Sequence, residues 1–251
     1  MTRTIVVAGK GGVGKTAISA LLVDTLSKKG VVLAIDADPS TNLNAALGVP
    51  LKETVGRVRE DMSEYIKKGS MSPTVSKQDY LDTKIREALV EAPKFDLLAM
   101  GRPEGPGCYC ASNQMLRMSM AKLSKSYPYM VVDSEAGMEH ISRQTTQEID
   151  FMLVVSDPTM RGLTAAARMK DLIKEMRTKV GKIGLAVNRV RNGLPQELKK
   201  AIDEYSLELV AAIPEDMELA DLEIKGKAIV ELPADSPLRK GVEQIISKFG
   251  L

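Results

Sequence analysis

Short apolar runs recur along the chain, separated by longer stretches in which apolar residues return every three or four positions. The runs at residues 5–8, 31–35, 95–100, 129–132, 151–155, 183–187 and 207–213 read as strands. Stretches such as 17–28, 40–47 and 162–177 read as helices. Several runs are apolar without alternation, the pattern of a strand covered on both faces. Strand and helix alternate almost throughout. That predicts a doubly wound α/β fold, a mostly parallel sheet with helices on both faces and ligands beyond the carboxyl ends of the strands. Residues 51–93 are polar and charge-rich and read as a helical insertion. The segment 238–251 is amphipathic, with Leu238, Val242, Ile245, Ile246 and Phe249 on one face and Arg239, Lys240 and Lys248 on the other. A final helix closing the core fits that pattern, and so does a helix lying on a membrane surface.

At 251 residues the chain suits one α/β domain spanning 1–251. Its formal net charge of +2 is too mild for a nucleic-acid footprint, so no nucleic-acid partner is expected. No apolar stretch approaches the roughly 20 residues of a membrane span, and no membrane partner is expected. Met1-Thr2-Arg3 runs straight into the first strand, so no signal peptide is expected. The two cysteines, Cys108 and Cys110, are one residue apart, and a disulfide would strain so tight a ring. Free or metal-bound thiols in the cytoplasm are the better expectation.

The first strand leads into Gly9-Lys10-Gly11-Gly12-Val13-Gly14-Lys15-Thr16, and a helical pattern starts at Ala17. This is a phosphate-binding loop in its proper context: glycines let backbone N–H groups turn inward, and the helix N-terminus favours negative charge. Lys15 would reach the β- and γ-phosphates, and the Thr16 hydroxyl would ligate Mg²⁺. Asp36 and Asp38 close the second strand, where a carboxylate can hold Mg²⁺ through water or orient an attacking water. Capping the helix at 40–47 is the other use for them. Asp133 ends another strand, as a Walker B carboxylate does, and Ser134-Glu135-Ala136-Gly137 follows as a switch loop. Asn188 follows the strand at 183–187; its amide carries a donor and an acceptor and suits an adenine edge, or serves only a loop turn.

These segments resemble a known superfamily. Residues 10–16 are similar to the deviant Walker A motif of the MinD, ParA and nitrogenase iron protein ATPases, residues 36–39 to their first switch, and residues 133–137 to their second. The resemblance implies a homodimer sandwiching two ATP molecules with Mg²⁺. Lys10 would reach the partner's nucleotide, with Asp38 as the hydrolytic switch residue. Asp133 would hold Mg²⁺ through water, and Asn188 with Pro214 and its neighbours would line the adenine pocket.

The loop 101–110, Gly-Arg-Pro-Glu-Gly-Pro-Gly-Cys-Tyr-Cys, resembles that of CooC-type proteins, ATPases that mature nickel-containing carbon monoxide dehydrogenase, with relatives serving acetyl-CoA synthase. Their C-x-C pair binds Ni²⁺ or Zn²⁺ at the dimer interface. One C-x-C supplies two soft thiolates, and two subunits would supply four. The resemblance thus implies an ATP-driven nickel metallochaperone with carbon monoxide dehydrogenase or a related nickel enzyme as partner. An iron–sulfur redox ATPase like the nitrogenase iron protein and a spatial organiser of the MinD or ParA kind are the alternatives. His140, the lone histidine, is a third metal ligand, a coupling element or a structural residue.

Overall fold

In a computed structural model, the residues described are 1–68, 76–101, 121–135, 148–175 and 179–251. In chain order the elements are β1 (Arg3–Gly9), α1 (Lys15–Leu26), β2 (Val32–Asp36), α2 (Leu43–Leu47), α3 (Val55–Lys67), α4 (Lys77–Glu87) and β3 (Val90–Glu91). There follow β4 (Phe95–Ala99), β5 (Tyr129–Asp133), β6 (Glu148–Ser156), α5 (Met160–Glu175) and β7 (Lys179–Val190). The chain closes with α6 (Gln196–Glu204), β8 (Leu209–Pro214), α7 (Met217–Ile224), a 3₁₀ turn (Ile229–Glu231) and α8 (Pro237–Phe249).

The strands form one eight-stranded sheet in the order β3-β4-β2-β5-β1-β6-β7-β8. Every pair is parallel except the short edge pairing of β3 with β4. The expected doubly wound α/β sheet is therefore present, with β1 central between β5 and β6.

Alternation along β1 separates two cores. Ile5 and Val7 point to the face covered by α1, α2 and α8, while Val6 and Ala8 point to the face covered by α3, α4, α5 and α6. Helix α1 is apolar on nearly all sides because α2, α8 and the 3₁₀ turn enclose it. Ile18, Leu21, Leu22 and Leu26 are fully buried there. The apolar face of α8 is likewise buried, with Leu238, Val242, Ile245, Ile246 and Phe249 all in the core. Of the two readings of this amphipathic segment, the core helix is the one found.

Three boundaries differ from the sequence pattern. Strands β6 and β7 start earlier than their apolar runs, because polar residues still pair there: Glu148 lies beside Lys179 in register and in an ion pair. The run at 207–213 begins too soon, since Leu207 belongs to the turn that closes α6, its N–H donating to Ile202 O. The segment 51–93 holds α3 and α4, and Val55, Val58, Met62, Leu81 and Ile85 from it pack into the core beneath β2 and β4.

Candidate functional site

The phosphate loop occupies residues between the end of β1 and the start of α1, at the middle of the sheet's carboxyl edge. Its glycines are required by two kinds of geometry. Gly14 caps α1 in the left-handed region at φ 94°, and Gly12 lies there at φ 78°. Gly9, itself at φ 155°, also faces a neighbour, since a Cβ there would clash with Val155 O on β6. Gly11 and Gly12 are exposed, Val13 and Ala17 are buried in the core on the α1 face of the sheet, and Lys10 is exposed. Lys15, the first residue of α1, is buried, and its Nζ donates to Lys10 O at 3.2 Å.

Strand register brings the acids to this loop. Asp36 pairs with Asp133 across β2 and β5, and Val7 pairs with Asp133 across β1 and β5. Both carboxyls are fully buried. Asp133 accepts from Ser19 Oγ at 3.0 Å and from the Thr16 side chain. Burial, with repulsion from Asp36 adding to it, pushes Asp133 up to about 7 against those hydrogen bonds. Burial likewise pushes Asp36 up to about 6, although backbone N–H groups favour its charged form. Thr16 and Asp133, with Asp36 beside them, form an oxygen-only donor set, which fits a hard divalent cation such as Mg²⁺.

Asp36 also does what the capping alternative requires. Its Oδ2 accepts from Leu43 N at 2.9 Å and its Oδ1 from Asp38 N at 3.1 Å. It therefore holds the N-terminus of α2 from the end of β2, in place of Asn42, whose side chain makes no cap. Asp38 is half-buried, and its Oδ1 accepts from Ser40 N at 2.8 Å in a local turn.

Asn188 is buried behind the loop. Its Nδ2 donates to Val13 O at 2.9 Å, and its Oδ1 accepts from Arg189 N at 2.9 Å. One N–H and one lone pair of the amide remain. Pro214 ends β8 in register with Val190, and Arg191 forks onto Glu215 at 2.6 and 2.8 Å. Cys108, Cys110, Ala136, Gly137 and His140 lie outside the described residues. Among the described residues no three or more His, Cys, Asp or Glu side chains group as a metal site.

Sequence reasoning missed two supporting residues. Ser19 lies one helical turn after Thr16, a spacing that puts both hydroxyls on the same face toward Asp133. Asp216 is buried and caps α7 through Glu218 N at 3.0 Å. It also accepts from Ser236 Oγ at 2.6 Å and Leu238 N at 3.2 Å at the start of α8. Only its place before a helical run, with an acidic residue in the first turn, signalled it.

The chain is similar to known proteins over most of its length. An uncharacterized ATP-binding protein of Methanocaldococcus jannaschii is 42% identical over 246 residues, covering 98% of this chain and 97% of that protein. The carbon monoxide dehydrogenase accessory protein CooC of Rhodospirillum rubrum is 32% identical over 189 residues, 68% of this chain and 69% of CooC. Among solved structures, McdA of Cyanothece in an ATP complex superposes with a TM-score of 0.73 at 21% identity, over 100% of this chain and 97% of that one. The profile of the CbiA family, described as the CobQ/CobB/MinD/ParA nucleotide binding domain, matches residues 4–229. A central phosphate loop, two strand-end carboxylates aligned beside it and this family match thus agree, and the chain belongs to the CobQ/CobB/MinD/ParA family of nucleotide-binding P-loop proteins.

Proposed function

We propose that this chain is a cytoplasmic, ATP-hydrolysing metallochaperone that dimerises with ATP and delivers nickel to carbon monoxide dehydrogenase or a related enzyme such as acetyl-CoA synthase. The observation that carries this reading is the similarity to CooC, taken with the Cys108-Tyr109-Cys110 pair in the sequence after β4. Lys15 and the loop's N–H groups bind the ATP phosphates. Thr16 ligates Mg²⁺, and Asp133 holds it through water, the charged form of the carboxylate being favoured by the cation. Asp38 orients the attacking water, and Lys10 reaches the partner's nucleotide as transition-state charge develops. Asn188 and Pro214 flank the adenine. The cargo, Ni²⁺ with Zn²⁺ as competitor, is held by Cys108 and Cys110 of two subunits as thiolates.

Titration calorimetry with Ni²⁺ tests the cargo site. Saturation near one metal per two chains is expected, with binding lost in Cys108→Ser and ATP hydrolysis retained. One metal per chain, indifferent to the cysteine change, refutes the shared site. A brown chromophore after anaerobic purification would favour the iron–sulfur alternative. The spatial-organiser reading draws support from the likeness of fold along the whole chain. Against it, the apolar face of α8 is spent on the core and does not serve as an amphipathic anchor. ATP-dependent sedimentation with liposomes or DNA would revive it.

A further inference from the structure

Asn188 contacts the phosphate loop itself, and the structure around it is built to keep that contact. Its amide is buried, and Nδ2 donates to Val13 O at 2.9 Å. A Cβ on Gly14 would lie 2.5 Å from the same nitrogen, so glycine at 14 leaves the amide its place. The other end is fixed by Arg189 N, at 2.9 Å from Oδ1. Arg189 lies in the left-handed region at φ 59°, a conformation that a non-glycine residue keeps only where its surroundings impose it. The imposing features are close by. The β7–β8 pairing shifts register between Val187 and Val190, Glu215 N donates to Val190 O at 3.2 Å, and Arg191 forks onto Glu215. An exposed ion pair adds little to global stability. Across a strand-end irregularity it fixes local direction, because a bidentate fork fixes orientation as well as distance.

We propose that Asn188 is a positioning residue for phosphate binding: it braces Val13 and Gly14 from behind, so that the loop's N–H groups are already aimed when a triphosphate arrives. This rests on the reading of residues 9–16 as a triphosphate-binding loop. It goes beyond a base-reading role for Asn188, since the brace acts on the phosphates whatever base they carry. The Val13 carbonyl is the contact, and losing it frees the turn that presents the phosphate donors. Because the same amide retains one N–H and one lone pair, it can also serve a base, so one side chain would link the two ends of the nucleotide site.

A ligand without a base separates the two roles. Affinities of the full chain for Mg-ATP and for Mg-tripolyphosphate are measured by calorimetry in wild type and Asn188→Ala, with thermal unfolding monitored alongside. The brace predicts that both affinities fall by a similar factor, about tenfold, as for a lost buried hydrogen bond. A loss for ATP with tripolyphosphate unchanged overturns the proposal in favour of base reading alone, and no change in either overturns it outright. Lower thermal stability with both affinities intact also overturns it, as that is what a merely structural residue would give. Asn188→Asp, isosteric and still able to accept from Arg189 N, loses the donor to Val13 and serves as the second variant under the same criteria. Wild-type protein that binds neither ligand would instead sink the phosphate-loop reading, and the brace with it.

Discussion

Removing the charge at Asp133 should flatten the pH dependence of stability in the nucleotide-free protein. Asp133 and Asp36 are neighbours in register and both are buried, with pKa values raised to about 7 and about 6. In the window between the ordinary carboxylate value and those raised values, the folded protein holds protons that the unfolded chain has released. The stabilisation is therefore fully present below about pH 4 and is lost as pH rises through about 6 to 7, levelling above that. At about 1.4 kcal/mol per pH unit, the whole loss is roughly 4 kcal/mol for Asp133 and roughly 3 kcal/mol for Asp36. The two repel one another, so they titrate as a pair and these figures do not simply add.

Asp133→Asn keeps an oxygen to accept from Ser19 and Thr16 but has no charge to desolvate. It also removes a negative neighbour from Asp36. Urea unfolding in EDTA, without nucleotide, at pH values from about 5 to about 8 is the assay. The wild type should lose stability across that range, and about 3 kcal/mol of that loss should vanish in the variant. The slope is diagnostic and the offset is not, because the new amide N–H needs a partner of its own. Parallel profiles for the two proteins would refute the argument that burial controls this pair. Adding Mg²⁺ to the wild type should also reduce the slope, since a bound cation favours the charged carboxylates.

Two further substitutions probe the loop. Lys10→Ala should leave ATP binding largely intact, because Lys15 and the backbone donors remain, while hydrolysis falls on the order of a thousandfold; wild-type turnover would contradict a role for Lys10 on the partner's phosphates. Gly9→Ala should destabilise the fold by about 2–3 kcal/mol even without nucleotide, because residue 9 holds φ 155° and its methyl group would meet the Val155 carbonyl in the β1–β6 pair; unchanged urea unfolding would count against both.

The parts of the site that could be read from the sequence are those whose chemistry is local. The phosphate loop is eight consecutive residues between a strand and a helix, and its glycines are in the loop for reasons that the pattern states. Asp36 and Asp133 each end an apolar run, which places them at the carboxyl edge without saying that they face each other. That pairing depends on the spatial strand order, in which β5 inserts between β2 and β1. Ser19 and Asp216 carry ordinary polar side chains on or before helices, and only tertiary packing aims them at Asp133 and at the start of α8. Asn188 shows both sides of this. Its residue type and strand-end position marked it in sequence, but its contact with Val13 spans 175 residues of chain and has no local signature.

The segment 51–93 shows why polarity alone misleads about position. Helix α3 spends Val55, Val58 and Met62 on the sheet and leaves charged residues on its other side, so its composition looks like a solvated appendage. Its attachment is completed by backbone groups, which composition cannot register. Met100 N donates to Asp36 O at 2.8 Å, and Gly56 N donates to Met100 O at 2.8 Å. Gly101, at φ 65°, presses against Thr54, where a Cβ would lie 2.6 Å from both the Thr54 Cβ and hydroxyl oxygen. Thr54 in turn caps α3 by accepting from Arg57 N. The end of β2, the end of β4 and the start of α3 are thus one hydrogen-bonded unit. The residue that fixes the N-terminus of α2 through its side chain also anchors the end of β4 through its carbonyl. Asp36, one of the two carboxylates beside the phosphate loop, therefore belongs to the same unit from which the chain departs toward Cys108 and Cys110.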